Sequence, residues 1–289
     1  MMVERRCGRV GMPVKMIACD LDGTLLGPDG HVGRETAHRL QGLHDAGVPL
    51  VIATGRSWRT AAAVQEELHI RGPVVAHNGA YAYDTLTHRE LYARRVPLDA
   101  ARSMLTWANT RHIMLRCYLG MGHPVLFNFI SEEHRAAFLR PEDVDLSGPP
   151  SRLHVEPLEI FLFGTWEVDS FLERFGAQGP GYEAMVFPHD RVREINVCAP
   201  GADKVEGVAA VARRMGVSPD EVLAIGDGDN DIRLMRWAGY AVAMGSGHRN
   251  AQAVAQFVTN PEDPDPVLSA VKWALSSSPP QSRPTPSPS

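Results

Sequence analysis

The chain has 289 residues, 44% of them hydrophobic, and a formal net charge of −5. This length and composition fit one large α/β domain or two smaller ones around a sizeable core. The acidic balance gives no general electrostatic affinity for nucleic acid or anionic membranes, and no apolar run is long enough for a membrane span. The positively charged N-terminus is not followed by the apolar segment that a secretory signal requires. The four scattered cysteines indicate neither a disulfide framework nor a thiolate metal site. The sequence therefore predicts a cytoplasmic protein without nucleic-acid or membrane partners.

Short apolar runs alternate with helical patterns towards both ends of the chain. The apolar runs are residues 15–19, 49–53, 73–76 and 221–225. Because alternation disappears in strands that are covered on both faces, these runs are typical of a parallel sheet. Helical patterns over 34–46 and 204–215 are each followed by a glycine. This βαβα order predicts an α/β fold with a doubly wound, mostly parallel sheet.

The middle of the chain has a different pattern. Apolar residues alternate more there, which predicts strands near 89–96, 112–118 and 158–163 and helices near 98–109 and 131–139. We therefore predict an α+β domain inserted into the α/β domain. The predicted parts are a flexible extension 1–12, a core of 13–83 and 189–275, an inserted domain 84–188 and a disordered Pro/Ser-rich tail 276–289.

Two aspartates directly follow the first predicted strand, in the run DLDGT at 20–24. Ligands of open α/β sheets bind beyond the carboxyl ends of the strands, which is where Asp20 and Asp22 would lie. A spacing of two residues along an extended chain points both carboxylates to one side, and Gly23 lets the chain turn away. Two acids so close require either a proton or a cation. A simple strand-end turn is the alternative.

A second acidic run, GDGDND at 226–231, follows the fourth predicted strand. In isolation it would be an acidic loop, such as an N-cap cluster for a helix over 232–238. Together with Asp20 and Asp22 it makes an all-oxygen site suited to Mg²⁺. Zinc is disfavoured because histidine-rich or thiolate ligation has no support.

Two further features are suited to phosphate. The run TGR at 54–56 follows the second predicted strand, and a hydroxyl and backbone N–H groups near a helix start can hold phosphate oxygens. Lys204 begins a predicted helix, where its charge could reach a phosphate, and an ordinary surface lysine is the alternative. The run HNG at 77–79 is by default a turn after a strand.

Taken in order, DLDGT, TGR, NG at 78–79, Lys204 and GDGDND resemble the motifs of the haloacid dehalogenase superfamily. The chain is more narrowly similar to the Cof-like phosphatases, in which a large α/β cap is inserted between the second and third motifs. The resemblance extends from residue 15 to about residue 275. It implies a Rossmann-type core of the haloacid dehalogenase kind and makes the inserted domain a cap that selects the substrate.

The resemblance also implies roles for individual residues. Asp20 would be the nucleophile that forms an aspartyl phosphate, and Asp22 would act as general acid and then as general base. Mg²⁺ would be held by the Asp20 carboxylate, the Asp22 backbone carbonyl and Asp227, with Asp231 ordering metal-bound water or Lys204. The phosphoryl oxygens would be bound by the Leu21 backbone, Thr54, Gly55, Lys204 and Asn230.

The resemblance predicts a Mg²⁺-dependent phosphatase acting on a small phosphorylated metabolite, either a sugar phosphate or a phosphorylated cofactor. A phosphomutase of the phosphomannomutase-like type is one alternative, and a non-catalytic protein that binds a phosphorylated metabolite is another. Two runs depart from the usual pattern, SGH at 246–248 and EDPDPV at 262–267. Asp229 adds a negative charge for which the sequence suggests no role.

Overall fold

The computed structural model describes residues 14–123, 125–128, 149–188 and 192–277. The predicted N-terminal extension, the helix predicted over 131–139 and the tail beyond Ser277 lie outside these residues. The chain divides into two compact units. Unit 1 combines Met1–Val51 with Ala212–Ser289, and unit 2 is Ile52–Val211. The bounds predicted for the core and the inserted domain stay a prediction.

The strands and helices are numbered here in chain order. The strands are β1 (Met16–Cys19), β2 (Leu50–Ala53), β3 (Pro73–Ala76), β4 (Tyr81–Asp84), β5 (Arg89–Ala93), β6 (Arg116–Tyr118), β7 (Leu126–Phe127), β8 (Glu159–Phe163), β9 (Gln178–Gly179), β10 (Tyr182–Pro188), β11 (Arg193–Cys198), β12 (Val222–Gly226), β13 (Tyr240–Ala243) and β14 (Phe257–Val258). The helices are α1 (Arg34–Asp45), α2 (Trp58–Glu67), α3 (Leu98–Arg111), α4 (Thr165–Phe175), α5 (Lys204–Met215), α6 (Ile232–Trp237), α7 (Arg249–Val254) and α8 (Pro266–Ser276).

Unit 1 is built on a parallel sheet. Strands β14, β13, β12 and β1 lie in that order, and each pairs with its neighbour in parallel. The register of β1 and β12 runs from Met16 opposite Val222 to Cys19 opposite Ile225. Both strands are buried along their whole length, which explains their nearly continuous apolar sequence. These parallel strands and the helices between them confirm the predicted α/β fold.

Unit 2 contains two sheet regions. The end of β2 pairs with β3 in parallel, and β4 and β5 follow as antiparallel strands. The second region is a six-stranded antiparallel sheet in the order β7-β6-β8-β11-β10-β9. One face of this sheet packs on α3 and α4, in a core that includes Leu105, Phe171, Ile160 and Val197. The alternating pattern in the middle of the sequence therefore reflects a sheet that has one face in this core.

Several predicted strands are shorter in the structure. Strand β6 begins at Arg116 rather than at residue 112, because His112 ends α3 in a left-handed conformation with φ of 56°. Strand β12 begins at Val222, because Glu221 closes a short 3₁₀ turn. Strand β5 ends at Ala93 rather than at residue 96. Among the described helices, none has the combination of length and hydropathy that crossing a bilayer requires.

Candidate active site

Asp20 lies immediately after β1 in unit 1. Its backbone N–H donates to the Ile225 carbonyl at 2.9 Å, so this hydrogen bond ties the end of β1 to the end of β12. Because the two strands are parallel neighbours, the DLDGT loop and the GDGDND loop leave the sheet at the same edge. The structure therefore brings the two predicted acidic motifs together.

Three carboxylates meet at this edge. Asp20, Asp227 and Asp231 each contribute one oxygen, and these oxygens all lie within 4.8 Å of one another. Asp20 and Asp231 are buried and Asp227 is partly buried. Three carboxylates at this separation repel one another unless a cation or protons reduce their charge. A set of oxygen donors without histidine or thiolate is the chemistry that Mg²⁺ prefers, so these residues fit the predicted metal.

Asp231 also fixes the shape of its own loop. Its Oδ2 accepts hydrogen bonds from the backbone N–H groups of Asp227, at 3.1 Å, and Gly228, at 3.0 Å. Its side chain makes no capping hydrogen bond to α6. Position 226 must be a glycine, since a Cβ there would lie 2.4 Å from the Asp231 carboxyl carbon. The loop is therefore folded around the Asp231 carboxylate.

The DLDGT loop also packs against Asp227. Gly23 has a left-handed φ of 71°, and a Cβ at this position would lie 2.5 Å from Asp227 Oδ2. The Thr24 hydroxyl donates to Asp227 Oδ1 at 3.4 Å. The sequence suggested only that Gly23 lets the chain turn. In the structure, the absence of a side chain at Gly23 also leaves space for Asp227 of the GDGDND loop.

The other predicted residues of unit 1 are placed differently. The side chain of Asp22 is exposed, and its carboxylate is not one of the three that lie close together. Asn230 is exposed, whereas the Leu21 side chain is fully buried and leaves its backbone as the group available to a ligand. An exposed carboxyl group is accessible for exchanging protons with substrate and water, which suits the role predicted for Asp22.

Asp229 has contacts that the sequence did not suggest. Its Oδ1 accepts a hydrogen bond from Asn250 Nδ2 at 3.1 Å, and His248 Nδ1 lies 3.7 Å from its Oδ2. Both partners lie at the start of α7. Asp229 therefore connects the acidic loop to the neighbouring helix and stands apart from the three clustered carboxylates.

In unit 2, the loop that carries the predicted phosphate residues Thr54 and Gly55 lies beside the turn at 77–79. The Asn78 N–H donates to the Thr54 carbonyl at 3.2 Å, and the His77 N–H donates to the Arg56 carbonyl at 2.9 Å. A Cβ on Gly55 would lie 2.8 Å from Asn78 Oδ1. The turn at 77–79 is therefore part of this group, although its sequence alone indicated only a turn.

Lys204 begins α5 beside the same turn. Asp203 caps the helix, with its Oδ1 accepting a hydrogen bond from the Val205 N–H at 2.9 Å. The Lys204 side chain is 1% exposed, so the alternative of an ordinary surface lysine is wrong. Because Gly79 approaches the backbone of both Asp203 and Lys204, the structure brings Lys204 together with the loop that carries Thr54 and Gly55.

Gly79 packs more tightly against a neighbouring segment than the other glycines of this group, and the segment it contacts is the backbone of Asp203. Its φ is 90°, and a Cβ would lie 1.9 Å from the Asp203 carbonyl oxygen. We expect Gly79→Ala to cost at least about 2 kcal/mol, because the left-handed conformation and the steric overlap add together. The melting temperature, followed by circular dichroism, should fall by several degrees. Gly216→Ala is the matched control, since Gly216 is also left-handed but has nothing within 4 Å of the added Cβ. Equal losses in the two variants would contradict the close approach.

A buried pair that includes the first residue of this turn was not predicted from the sequence. His77 Nδ1 lies 3.0 Å from Glu159 Oε2, and both side chains are almost completely buried. The His77 ring also lies 4.9 Å from the ring of Tyr118. Glu159 and Tyr118 belong to the six-stranded sheet, so His77 connects this sheet to the phosphate-suited turn within unit 2. The separation of 82 residues between His77 and Glu159 left no local signal.

The described cysteines, Cys19, Cys117 and Cys198, are buried and form no disulfide bond with one another. Burial raises the pKa of the Cys117 thiol to about 12. Burial, together with the charge of Glu159, raises the pKa of Cys198 well above its usual range. The raised pKa values keep these two thiols protonated, and a protonated thiol is a poor nucleophile.

A sequence model of haloacid dehalogenase-like hydrolases matches residues 17–271. The chain belongs to this family. The match includes all the motifs of the predicted resemblance and both groups of site residues described above. Membership in the haloacid dehalogenase-like hydrolases confirms the family that the order of the motifs predicted.

Named relatives of this haloacid dehalogenase-like hydrolase cover most of its length. 5-Amino-6-(5-phospho-D-ribitylamino)uracil phosphatase YitU of Bacillus subtilis is 26% identical over 265 residues, which are 89% of this chain and 96% of YitU. Chloroplastic endoribonuclease YBEY of Arabidopsis thaliana is 27% identical over 88% of this chain, and the match spans 45% of that protein. A solved haloacid dehalogenase-like hydrolase from Bacteroides thetaiotaomicron has a TM-score of 0.75 and 22% identity, covering 90% of this chain and 98% of its own. The solved structure supports the fold.

Proposed function

We propose that this protein is a Mg²⁺-dependent phosphatase that hydrolyses a small phosphorylated metabolite through an aspartyl phosphate. The observation that carries the proposal is that Asp20, Asp227 and Asp231 lie close together at the carboxyl ends of β1 and β12. The chain also belongs to a family of hydrolases. The name of the YitU relative, a phosphatase of a phosphorylated metabolite, supports the substrate class.

Asp20 and Asp22 carry the proposed chemistry. A carboxylate oxygen of Asp20 attacks phosphorus, the bond from phosphorus to the ester oxygen breaks, and protonated Asp22 gives its proton to the leaving oxygen. In the second step Asp22 takes a proton from the attacking water, and cleavage of the acyl phosphate releases inorganic phosphate and restores the Asp20 carboxylate. The buried position of Asp20 suits a fixed nucleophile, and the exposed position of Asp22 suits a group that exchanges protons.

The metal would be held by Asp20, Asp227 and Asp231, with the Asp22 backbone carbonyl as a further oxygen ligand. When bound, Mg²⁺ would reduce the repulsion between the carboxylate nucleophile and the negatively charged phosphate. The Thr24 hydroxyl holds the Asp227 carboxylate in place for this purpose. The backbone N–H groups of Asp227 and Gly228 hold the Asp231 carboxylate in the same way.

Phosphate recognition is proposed for two sets of groups. In unit 2, Thr54, Gly55 and Lys204 lie close together beside the turn at 77–79. In unit 1, the Leu21 backbone and Asn230 lie in the two acidic loops. Hydroxyl, N–H and ammonium donors stabilise the charge that spreads over the phosphoryl oxygens in the transition state. We further propose that the inserted domain acts as the cap that selects the substrate.

The test is phosphate release from phosphorylated sugars, nucleotides and cofactors, measured with Mg²⁺ and with EDTA. We expect release in Mg²⁺, its loss after EDTA treatment and its return when Mg²⁺ is added, because the clustered donors are carboxylate oxygens. Inactivity of the metal-stripped protein in Mg²⁺ together with full activity in Zn²⁺ would contradict the assigned metal. Dependence of phosphate transfer on a sugar bisphosphate would indicate the phosphomutase alternative.

A further inference from the structure

The turn at 77–79 has an uncommon backbone conformation. His77, Asn78 and Gly79 have φ values of 52°, 52° and 90°, so three successive residues are left-handed. A side chain disfavours this conformation, and after glycine it is asparagine, aspartate and histidine that tolerate it best. Each left-handed residue with a side chain still costs free energy, so contacts from outside the turn must hold His77 and Asn78 in this conformation.

Two of these contacts come from the loop that carries Thr54 and Gly55. The His77 N–H donates to the Arg56 carbonyl at 2.9 Å, and the Asn78 N–H donates to the Thr54 carbonyl at 3.2 Å. The Thr54 hydroxyl, which is proposed to bind phosphate, also accepts a hydrogen bond from the Arg56 N–H at 3.1 Å. The position of this hydroxyl therefore depends on the position of the turn.

The start of α5 packs against another side of the turn. A Cβ on Gly79 would lie 1.9 Å from the Asp203 carbonyl oxygen and 2.5 Å from the Lys204 backbone nitrogen. A Cβ on Gly207, one helical turn further on, would lie 3.2 Å from the Gly79 carbonyl oxygen. Contacts this close mean that a displaced turn would also displace the backbone of Lys204. The turn thus touches both segments of unit 2 that are proposed to bind phosphate.

The third contact comes from the six-stranded sheet. Glu159 is the first residue of β8, and its Oε2 lies 3.0 Å from His77 Nδ1. Both the neutral Nδ1–H form and the imidazolium form of His77 donate to this carboxylate. The other ring nitrogen, Nε2, is buried without a hydrogen-bond partner among the described residues, so it is Glu159 that orients the ring. An apolar pair at these positions would avoid burying a carboxylate, so stability alone does not account for the pair.

We infer that Glu159 is a positioning residue for phosphate binding. Its carboxylate fixes the His77 ring, and His77 holds the left-handed turn against the Thr54 loop and the start of α5. The inference rests on the proposed phosphatase function and deepens it. Glu159 acts through His77 and does not contact the phosphate. A strand of the six-stranded sheet therefore sets the geometry of phosphate-binding groups that belong to motifs distant from it in sequence.

The test measures the binding of inorganic phosphate to the full chain in Mg²⁺ by titration calorimetry. We expect Glu159→Leu to weaken binding roughly tenfold, because loss of the carboxylate frees the His77 ring and lets the turn shift. Glu159→Gln keeps a side-chain oxygen that accepts the Nδ1–H, so it should bind phosphate within about threefold of the wild type. The values of kcat/KM for phosphate release should fall in the same order.

Asn128→Leu is the matched control. Asn128 is also a buried polar residue in the region of the six-stranded sheet, and its side chain accepts from the Leu115 N–H and donates to the Ile113 carbonyl, both at 2.7 Å. Because both leucine variants remove buried hydrogen bonds, both should lower the melting temperature. Only Glu159→Leu should weaken phosphate binding. Equal weakening in the two variants, or unchanged binding in Glu159→Leu, would overturn the inference.

His77→Asn tests the same link from the other side and provides the binding comparison if Glu159→Leu does not fold. Asparagine tolerates the left-handed conformation but is too short to keep the bond to Glu159. It should weaken phosphate binding about as much as Glu159→Leu. Because the two residues are proposed to act through one contact, the double variant should bind no more weakly than either single variant. Fully additive losses would show that Glu159 does not act through His77.

Hydrogen exchange gives a readout that needs no activity. The amides of His77 and Asn78 donate to the Thr54 loop, so they report directly on the position of the turn. Their exchange should be at least about tenfold faster in Glu159→Leu and within about twofold of the wild-type rate in Asn128→Leu. Unchanged exchange in Glu159→Leu would contradict the positioning role. Phosphate binding that depends on Glu159 would support this role even if no ester were hydrolysed, a result that would count against the proposed phosphatase function alone.

Discussion

Asp20→Asn is expected to lower phosphate release at least about a thousandfold while leaving the fold intact, because the amide is a far weaker nucleophile than the carboxylate it replaces. Asp20 lies at the end of a fully buried strand, and its backbone hydrogen bond to Ile225 does not involve the side chain. The side chain is nearly the same size in the variant, so packing around it is retained. One negative charge is removed from a group of three close carboxylates, which further favours folding.

The measurement is the rate of phosphate release under saturating Mg²⁺, with circular dichroism as the check on folding. Asp229→Asn is the matched control, because it removes the same charge from an exposed residue of the acidic loop outside the three-carboxylate cluster. The control should retain most of the activity. Asp20→Asn activity within tenfold of the wild-type value would remove Asp20 as the nucleophile.

A phosphorylated intermediate gives a second readout for the same residue. Brief reaction of the wild-type protein with a radiolabelled substrate, followed by acid quenching, should leave label on the protein, since acyl phosphates survive acid better than neutral or basic conditions. The label should be absent from Asp20→Asn and present in Asp229→Asn. Label that persists in Asp20→Asn would show that another residue is the nucleophile.

The part of the site in unit 1 could be predicted because its determinants are local. An apolar run followed by an acidic, glycine-containing loop indicates a buried strand that ends at a ligand-binding edge, and this pattern occurs before Asp20 and again before Asp227. Parallel pairing of β1 with β12 then brings the two loops together. The tight fit of Gly23 against Asp227 needed the structure, because it depends on two segments about two hundred residues apart.

The six-stranded sheet was harder to predict in detail. Alternation indicates which residues share a face, but the neighbours of a residue depend on the strand order, which local patterns do not encode. Glu159 was therefore only one residue of the strand predicted near 158–163, and Asn196 lay in no predicted strand. In the structure, the first bonds His77 and the second has an unpaired buried oxygen among the described residues. The start of β6 was misplaced for a local reason, since the left-handed conformation of His112 is not evident from a hydrophobic pattern.

Lys204→Met should lower kcat/KM roughly 10²–10³-fold, because the ammonium group is proposed to stabilise the charge on the transferring phosphoryl group. Lys204 is 1% exposed and lies beside the turn that contacts Thr54 and Gly55, so its charge is little screened by solvent. Methionine keeps an unbranched side chain of similar length and removes the charge. The loss should therefore arise from electrostatics rather than from an empty space in the fold.

Arg213→Met is the matched control for Lys204→Met, since Arg213 is an exposed basic residue on the same helix. It should leave kcat/KM within about twofold, because an exposed charge contributes little through solvent. Inhibition by inorganic phosphate separates binding from a general structural defect, and Lys204→Met should weaken it while Arg213→Met should not. If Lys204→Met binds phosphate as well as the wild type and keeps its kcat/KM, the buried lysine has a structural role, and phosphate recognition in unit 2 rests on Thr54 and the backbone around Gly55.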